Sequence, residues 1–298
     1  MSRKLLLLAL VVFAAVPGGA TAQPATRTTP CGQRASLSPR PHVVWIWMEN
    51  HTYDEIVGSA SAPFANQLIG ECGLATKYHA ITHPSLPNYL AATSGGTQGV
   101  ADDGDPSRHP LRAASIFERA ASAASFEEDM PGRCALANAG VYAVRHNPEA
   151  YFVRARELCR KHDLPLGTTA AGPLAHALDT SSLPDFSLVT PNLCDDTHDC
   201  GVAVGDAWLR RWVTRLAGSR LYRQGSLVLF VTWDEGNSAS NHIPAIVVSP
   251  ATAPGTTSDV PYTHYSLLRT TEELLGIPDL LGHAASARSM RSAFQLTR

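Results

Sequence analysis

Apolar residues cluster in short, almost unbroken runs along this chain, separated by longer stretches in which they recur every three or four positions. The runs Val43–Met48, Ala75–His79, Phe186–Thr190, Ser226–Trp233 and Ile243–Ser249 are 5 to 8 residues long and rich in Val, Ile, Leu, Phe and Trp. The segments "SLVLFVTW" and "PAIVVSP" hold almost no polar position, as expected of strands covered on both faces. Between the runs lie amphipathic segments. "PLRAASIFERAASA" is one. "PEAYFVRARELCRKH" opens on Pro148 and closes on a basic turn, and "DAWLRRWVTRLAGS" and "HYSLLRTTEELLGI" run out near Gly218 and Gly276. These are helix start and stop signals. Strands alternating with helices predict an α/β fold, with a central, mostly parallel sheet sandwiched by helices.

The first 41 residues break this pattern. Arg3 and Lys4 precede an apolar run from Leu5 to Val16, and Ala20-Thr21-Ala22 follows. A basic start, an apolar core and a small-x-small site predict a signal peptide over residues 1–22, cleaved after Ala22. The run is shorter than the ~20 residues that a membrane span needs. Residues 23–41, rich in Pro, Thr, Ser and Arg, read as a linker, and the catalytic domain is expected over 42–298. The expected location is therefore outside the cell or in the periplasm, with no transmembrane segment in the mature chain.

Charge adds an exclusion. The net charge is −2, and removal of Arg3 and Lys4 leaves 22 basic residues against 26 acidic ones. Such a chain has no basic field, so nucleic acid is not an expected partner. Six cysteines in an exported chain predict disulfides. Short loops favour Cys194–Cys200 and Cys134–Cys159, which leaves Cys31–Cys72.

Candidate chemistry stands at the ends of the predicted strands, where open α/β sheets bind ligands. The first strand delivers Glu49 and Asn50, and the strand ending at Trp233 delivers Asp234 and Glu235. If the two strands are neighbours, three carboxylates converge, and a cation is needed to relieve their repulsion. Hard oxygens suit Mg, Ca or Mn, and Zn also accepts carboxylates. Asn50-His51-Thr52 also matches a glycosylation sequon, a use that excludes a ligand role for Asn50. In "ITHPSLPNYLAATSGG", Ser85 opens a helical stretch, a place that favours both an alkoxide nucleophile and an incoming phosphate. The competing reading is a plain Ser N-cap. In "TPNLCDDTHDC", Asn192, Asp195, Asp196, His198 and Asp199 crowd a loop that a Cys194–Cys200 bond closes. Arg145, His146 and Asn147 offer an anion-binding group, while His242 and His264 flank a strand and a helix.

Together, "WIWMENHTYDEI", "HPSLPNYLAATSG", "YAVRHNPEAYF", "TPNLCDDTHDC", "VTWDEG" and "HYSLLRTTEELLGI", in that order, resemble the phosphoesterase family. That family holds bacterial acid phosphatases and phosphatidylcholine-type phospholipases C and lies in the alkaline phosphatase-like superfamily. The resemblance implies a divalent metal held by Glu49, Asn50, Asp234 and Glu235, with Ser85 as the nucleophile that also reaches the metal. It further implies active-site polar roles for Asn192, Asp196 and His198. A phosphoseryl mechanism follows, with His198 as general acid, Asp196 in the catalytic group, and Asn88, His146 and Asn192 on the phosphate oxygens. His242 is a weaker substrate-binding candidate, because family members carry a His and glycines directly after the acidic pair. The substrate is expected to be a small phosphate monoester or a phospholipid. Two alternatives remain open, a phospholipase C-type phosphodiesterase and an exported phosphate-ligand-binding protein without catalysis. A sulfatase is disfavoured because Tyr89 stands where the sulfatase signature has Arg.

Overall fold

The structure is a computed structural model that describes residues 29–297. The expected signal peptide lies outside the described residues. So do residues 23–28 of the expected linker. Its described part is held against the domain: Cys31 is buried and bonded to Cys72, and the Ser38 amide donates to the Gly225 carbonyl (2.9 Å).

Among the described residues, nine strands form one sheet. In chain order they are β1 (His42–Met48), β2 (Gly73–His79), β3 (Ala123–Glu127), β4 (Asp163–Pro165), β5 (Phe186–Thr190), β6 (Leu227–Trp233), β7 (His242–Val248), β8 (Thr256–Ser258) and β9 (Tyr262–Thr263). The spatial order is β4-β3-β5-β1-β6-β7-β2-β8, with β9 also on β2. Every pairing is parallel except the two made by β7. β1 lies between β5 and β6, in register Met48↔Trp233 with β6. The strands that end in Glu49-Asn50 and in Asp234-Glu235 are therefore immediate neighbours pointing the same way.

The central strands are apolar throughout because both faces are covered. On one side Trp45 and Trp47 of β1 meet the helices Ser85–Ser94 and His264–Leu275. Trp45 Nε1 donates to Thr271 Oγ1 (2.9 Å), and Trp47 packs on Tyr89 and His264. On the other side Met48 reaches Gly205 of the helix Val202–Ala217. A Cβ on Gly205 would lie 2.3 Å from Thr197 Cγ2 and 2.9 Å from Met48 Cε, so only glycine lets this helix seat against the 196–197 loop. Asp206, one residue on, accepts from the Phe64 and Ala65 amides and so caps the helix Pro63–Glu71 from a distance.

Two expected helices are reduced. In "PLRAASIFERAASA" only Ile116–Arg119 is α-helical, and "PEAYFVRARELCRKH" begins with two 3₁₀ turns before its helix at Arg156–His162. The first ends where Ala120 turns extended ahead of β3, and Leu111 accounts for its late start and for the 3₁₀ turns of the second. The Leu111 amide donates to the Tyr151 carbonyl, and its carbonyl accepts from the Val153 amide (2.9 Å each). Those backbone groups are thus withdrawn from any α-helical ladder. The disulfides are Cys31–Cys72, Cys134–Cys159 and Cys194–Cys200, the pairing expected from loop length. No helix among the described residues is long and apolar enough to cross a membrane.

Candidate active site

Where β1 and β6 end, the chain turns Glu49 inward and Asp234 beside it. Asn50 adopts a left-handed conformation (φ 59°), which Asn tolerates better than most residues. Its amide then donates to Asp234 Oδ1 (3.1 Å), while the Asp234 amide donates to the Met48 carbonyl (2.9 Å). Glu49 and Asp234 are both wholly buried. Ser85 comes from the opposite wall. It is the first residue of its helix, with Pro84 as the N-cap, and its Oγ donates to Glu49 Oε2 (3.1 Å). Ser85 is therefore not the N-cap of the competing reading. It is a hydroxyl held on a buried carboxylate at a helix N-terminus.

Tyr89, one turn further along, donates its hydroxyl to Glu49 Oε1. Its ring stacks on His146 at 5.5 Å. His146 Nε2 lies 3.4 Å from Glu49 Oε1, and Nδ1 lies 3.2 Å from Asp196 Oδ2. Asp196 is buried behind His146 and also accepts from the His198 amide (2.7 Å). Thr197 ties this loop to β1 through the Glu49 carbonyl (2.8 Å). Ligand atoms of Glu49, His146 and His198 fall within 4.8 Å of one another.

Burial sets the electrostatics. Glu49 is pushed well above the carboxylate range, first by desolvation and then by Asp234 and Asp196. Burial raises Asp234 and Asp196 to about 7 each, and Glu235 to about 9 with Asp234 as a further cause. His146 is driven down by burial, then by Arg145 and His198. Glu49 and Asp234, buried side by side with Asp196 behind His146, need a proton or a cation to coexist. Asp234 Oδ2 and His146 Nε2 are buried with no hydrogen-bond partner. The oxygen-rich donor set, with an imidazole at its side, fits a divalent metal ion.

Several expected residues take other places. Asn88 is fully buried: its Oδ1 accepts from the Ile81 and Thr82 amides (3.0 Å each), and its Nδ2 donates to the Thr82 and Pro84 carbonyls. It staples the loop before Ser85 and has no free edge for phosphate. Asn192 does the same in its own loop, with Oδ1 on the Cys194 and Asp195 amides and Nδ2 on Asp129. His242 is sandwiched between Tyr53 (4.4 Å) and His79 (5.0 Å), with Nε2 on the Thr76 carbonyl, outside the Glu49–Ser85 cluster. Glu235 does not join Glu49; its Oε2 is 2.7 Å from His83 Nδ1 and 3.4 Å from Asn88 Nδ2. His198 Nε2 is 3.1 Å from Arg145 Nη2, and Nδ1 is 2.6 Å from Asp199 Oδ1. Since guanidinium only donates, Nε2 is an acceptor here, which suits a ligand or base better than the expected general acid.

Sequence reading did not single out Tyr89 as a partner of Glu49. It also passed over His83, and Asp103, which accepts from the Leu86 amide (3.0 Å). The Tyr89 position, one turn after Ser85 on a helix opening the site, carried the only usable signal.

A sequence model of the Phosphoesterase family matches residues 59–278. The chain belongs to this family. Across 86% of its length this phosphoesterase is 33% identical to the phosphatidylinositol-3-phosphatase of Mycobacterium tuberculosis, covering 84% of that protein. It is 32% identical to the phosphate-repressible acid phosphatase of Penicillium chrysogenum, of which it covers 59%. Among solved structures, the phosphonate monoester hydrolase from Silicibacter pomeroyi superposes with a TM-score of 0.55 over 87% of this chain and 77% of that chain, at 12% identity. A protein in the alkaline phosphatase superfamily from Vibrio parahaemolyticus does so at 0.54, over 88% and 74%, at 11% identity. The fold is thus alkaline phosphatase-like, and the enzyme is a hydrolase of phosphoric esters.

Proposed function

We propose that the phosphoesterase is an exported, metal-dependent phosphomonoesterase that works through a phosphoseryl intermediate on Ser85. The observation that carries this reading is the Ser85 hydroxyl, 3.1 Å from Glu49 Oε2 at a helix N-terminus and beside the Asp234 end of β6. Glu49, Asp234, Asn50 and Ser85 would hold the divalent cation, with the unpartnered His146 Nε2 completing the set on the Glu49 side. When bound, such a cation lowers the pKa of the serine hydroxyl and neutralises phosphate oxygens.

Ser85 Oγ passes its proton to Glu49 Oε2, its hydrogen-bond partner, and attacks phosphorus in line; the bond from phosphorus to the ester oxygen breaks, that oxygen leaves and takes a proton from water, and the helix N-terminus faces the charge on the transferring group. His198, with an acceptor Nε2, is suited to take the proton of the water that releases phosphate. Asp196 holds His146 in orientation rather than touching substrate. The rim made by exposed His83 and half-buried Arg145 and His198 is where the ester enters. Three disulfides favour an oxidising, extracytoplasmic location. The relative named for phosphatidylinositol 3-phosphate makes a phosphorylated lipid headgroup the first physiological class to try.

The test is turnover of p-nitrophenyl phosphate by purified protein. The account expects activity that a chelator removes and a divalent ion restores. It also expects Ser85→Ala to lose at least about a thousandfold in kcat/KM with its fold retained. Chelator-resistant turnover together with an active Ser85→Ala would remove both the metal and the nucleophile.

A further inference from the structure

We infer that Asp103 is a displaceable occupant of the substrate's phosphate seat, a specificity-determining residue that competes with the incoming anion. This inference rests on the phosphomonoesterase reading of the Ser85 site.

The Leu86 amide follows the nucleophile directly and is one of the N–H groups that a helix start leaves unpaired. No side chain of its own segment caps this helix. Instead, Asp103 Oδ1, 17 residues along the chain, accepts from that amide at 3.0 Å. Its other oxygen, Oδ2, lies 4.0 Å from Arg145 Nε, and the same guanidinium reaches His198 Nε2 at 3.1 Å. One carboxylate thus bridges a helix N-terminal amide beside Ser85 and an arginine placed against His198. These are the donors that a phosphoryl group attacked by Ser85 needs. The cluster they face is a built site on independent grounds, because His146 Nε2 and Asp234 Oδ2 are buried there without hydrogen-bond partners.

Asp103 is well suited to yield. It sits in an exposed stretch that is anchored at Gly104, whose carbonyl accepts from the Tyr151 hydroxyl (3.0 Å). Its own side chain is 36% exposed. The anchor stays in place while the carboxylate swings towards solvent. A dianion entering the seat must otherwise sit against a carboxylate already crowded by Glu235. Displacement removes that repulsion and hands Leu86 N–H and Arg145 to the ligand. Weakly bound anions are thereby rejected, and inorganic phosphate, the product, is released more readily.

Asp103→Asn keeps an oxygen acceptor for the Leu86 amide and removes the charge. Calorimetric titration with inorganic phosphate should show binding tighter than wild type by on the order of tenfold, since a like charge leaves the seat. KM for p-nitrophenyl phosphate should fall by a similar factor, with kcat changed by less than about threefold. Arg145→Gln should weaken phosphate binding by on the order of tenfold, for loss of a charged hydrogen bond. Unchanged or weaker phosphate binding in Asp103→Asn, or a fall in kcat alone, would make Asp103 a fixed helix cap and overturn the inference. Unchanged binding in Arg145→Gln would overturn it as well. An inactive wild type would defeat the phosphomonoesterase reading, yet the phosphate titration would still report on the seat.

Discussion

Glu49 is where the chain concentrates its constraints. Its two oxygens take the hydroxyls of Ser85 and Tyr89, its carbonyl takes Thr197, and its amide donates to the Asp196 carbonyl. A buried carboxylate with so many donors is held rigidly, as a ligand or nucleophile-orienting group must be. Tyr89→Phe leaves the ring stack on His146 and deletes one donor to that buried carboxylate. Urea denaturation without added metal should show a loss of about 1–3 kcal/mol. Asp196→Asn keeps its shape beside His146 but loses the charge that orients the imidazole. Metal affinity should fall by about 10- to 100-fold, measured by titration, and an unchanged affinity would remove His146 from the ligand set. At this scale the sequence was legible where a strand end announces polarity, as at Glu49, Asp234 and Ser85. Tyr89, Asp103 and His83 stayed hidden, since each matters only through a partner brought close by folding, such as Glu49, 40 residues from Tyr89 in the chain. Asn88 and Asn192 misled for a related reason. An amide in a loop satisfies backbone groups as readily as it binds an anion, and the sequence does not say which.

Among the elements, the short 3₁₀ segment that follows His146 carries the least obvious energetics. Behind it Glu127 of β3, Glu149 and Asp163 of β4 are all buried, and Asn147 donates to Asp163 Oδ2 (2.8 Å). Thr190 of β5 bonds Glu127 Oε1 (3.3 Å) and also reaches the His146 carbonyl. Burial raises Glu127 and Glu149 well above the carboxylate range and Asp163 to about 7. Unfolded, Asp163 ionises near its ordinary value of about 4. The folded chain therefore holds a proton on Asp163 that the unfolded chain releases, and the Asp163 contribution to stability declines as pH climbs from about 4 towards about 7, then levels off. Thermal unfolding across that range should show the decline, and Asp163→Asn should make it shallower, the other raised carboxylates keeping the remainder. A variant with the wild-type slope would show that Asp163 is ionised in the fold. The strands of this region were readable from their apolar runs. The 3₁₀ turns were not, because the helical period of residues 148–162 is intact and only Leu111, 40 residues away from Tyr151, diverts the backbone bonds.

For the whole molecule, one topological fact supports the rest: β1 and β6 are parallel neighbours, so Glu49 and Asp234, 185 residues apart in the chain, emerge at one edge. The alternation of strands and helices was enough to predict the sheet type, and six ordered motifs resembled the family that the match to residues 59–278 bears out. The antiparallel β7, inserted between β6 and β2, left no trace in the apolar pattern, since a strand buried on both faces reads the same in either direction. The same limit hid the position of His242, which starts β7 and stacks away from the Glu49 cluster. Calorimetric titration of metal-stripped protein with Mn²⁺ tests the central claim most directly. The account predicts one site in the wild type, lost in both Glu49→Gln and Asp234→Asn while both variants remain folded. Equal Mn²⁺ binding by all three proteins would contradict a cation shared between the ends of β1 and β6.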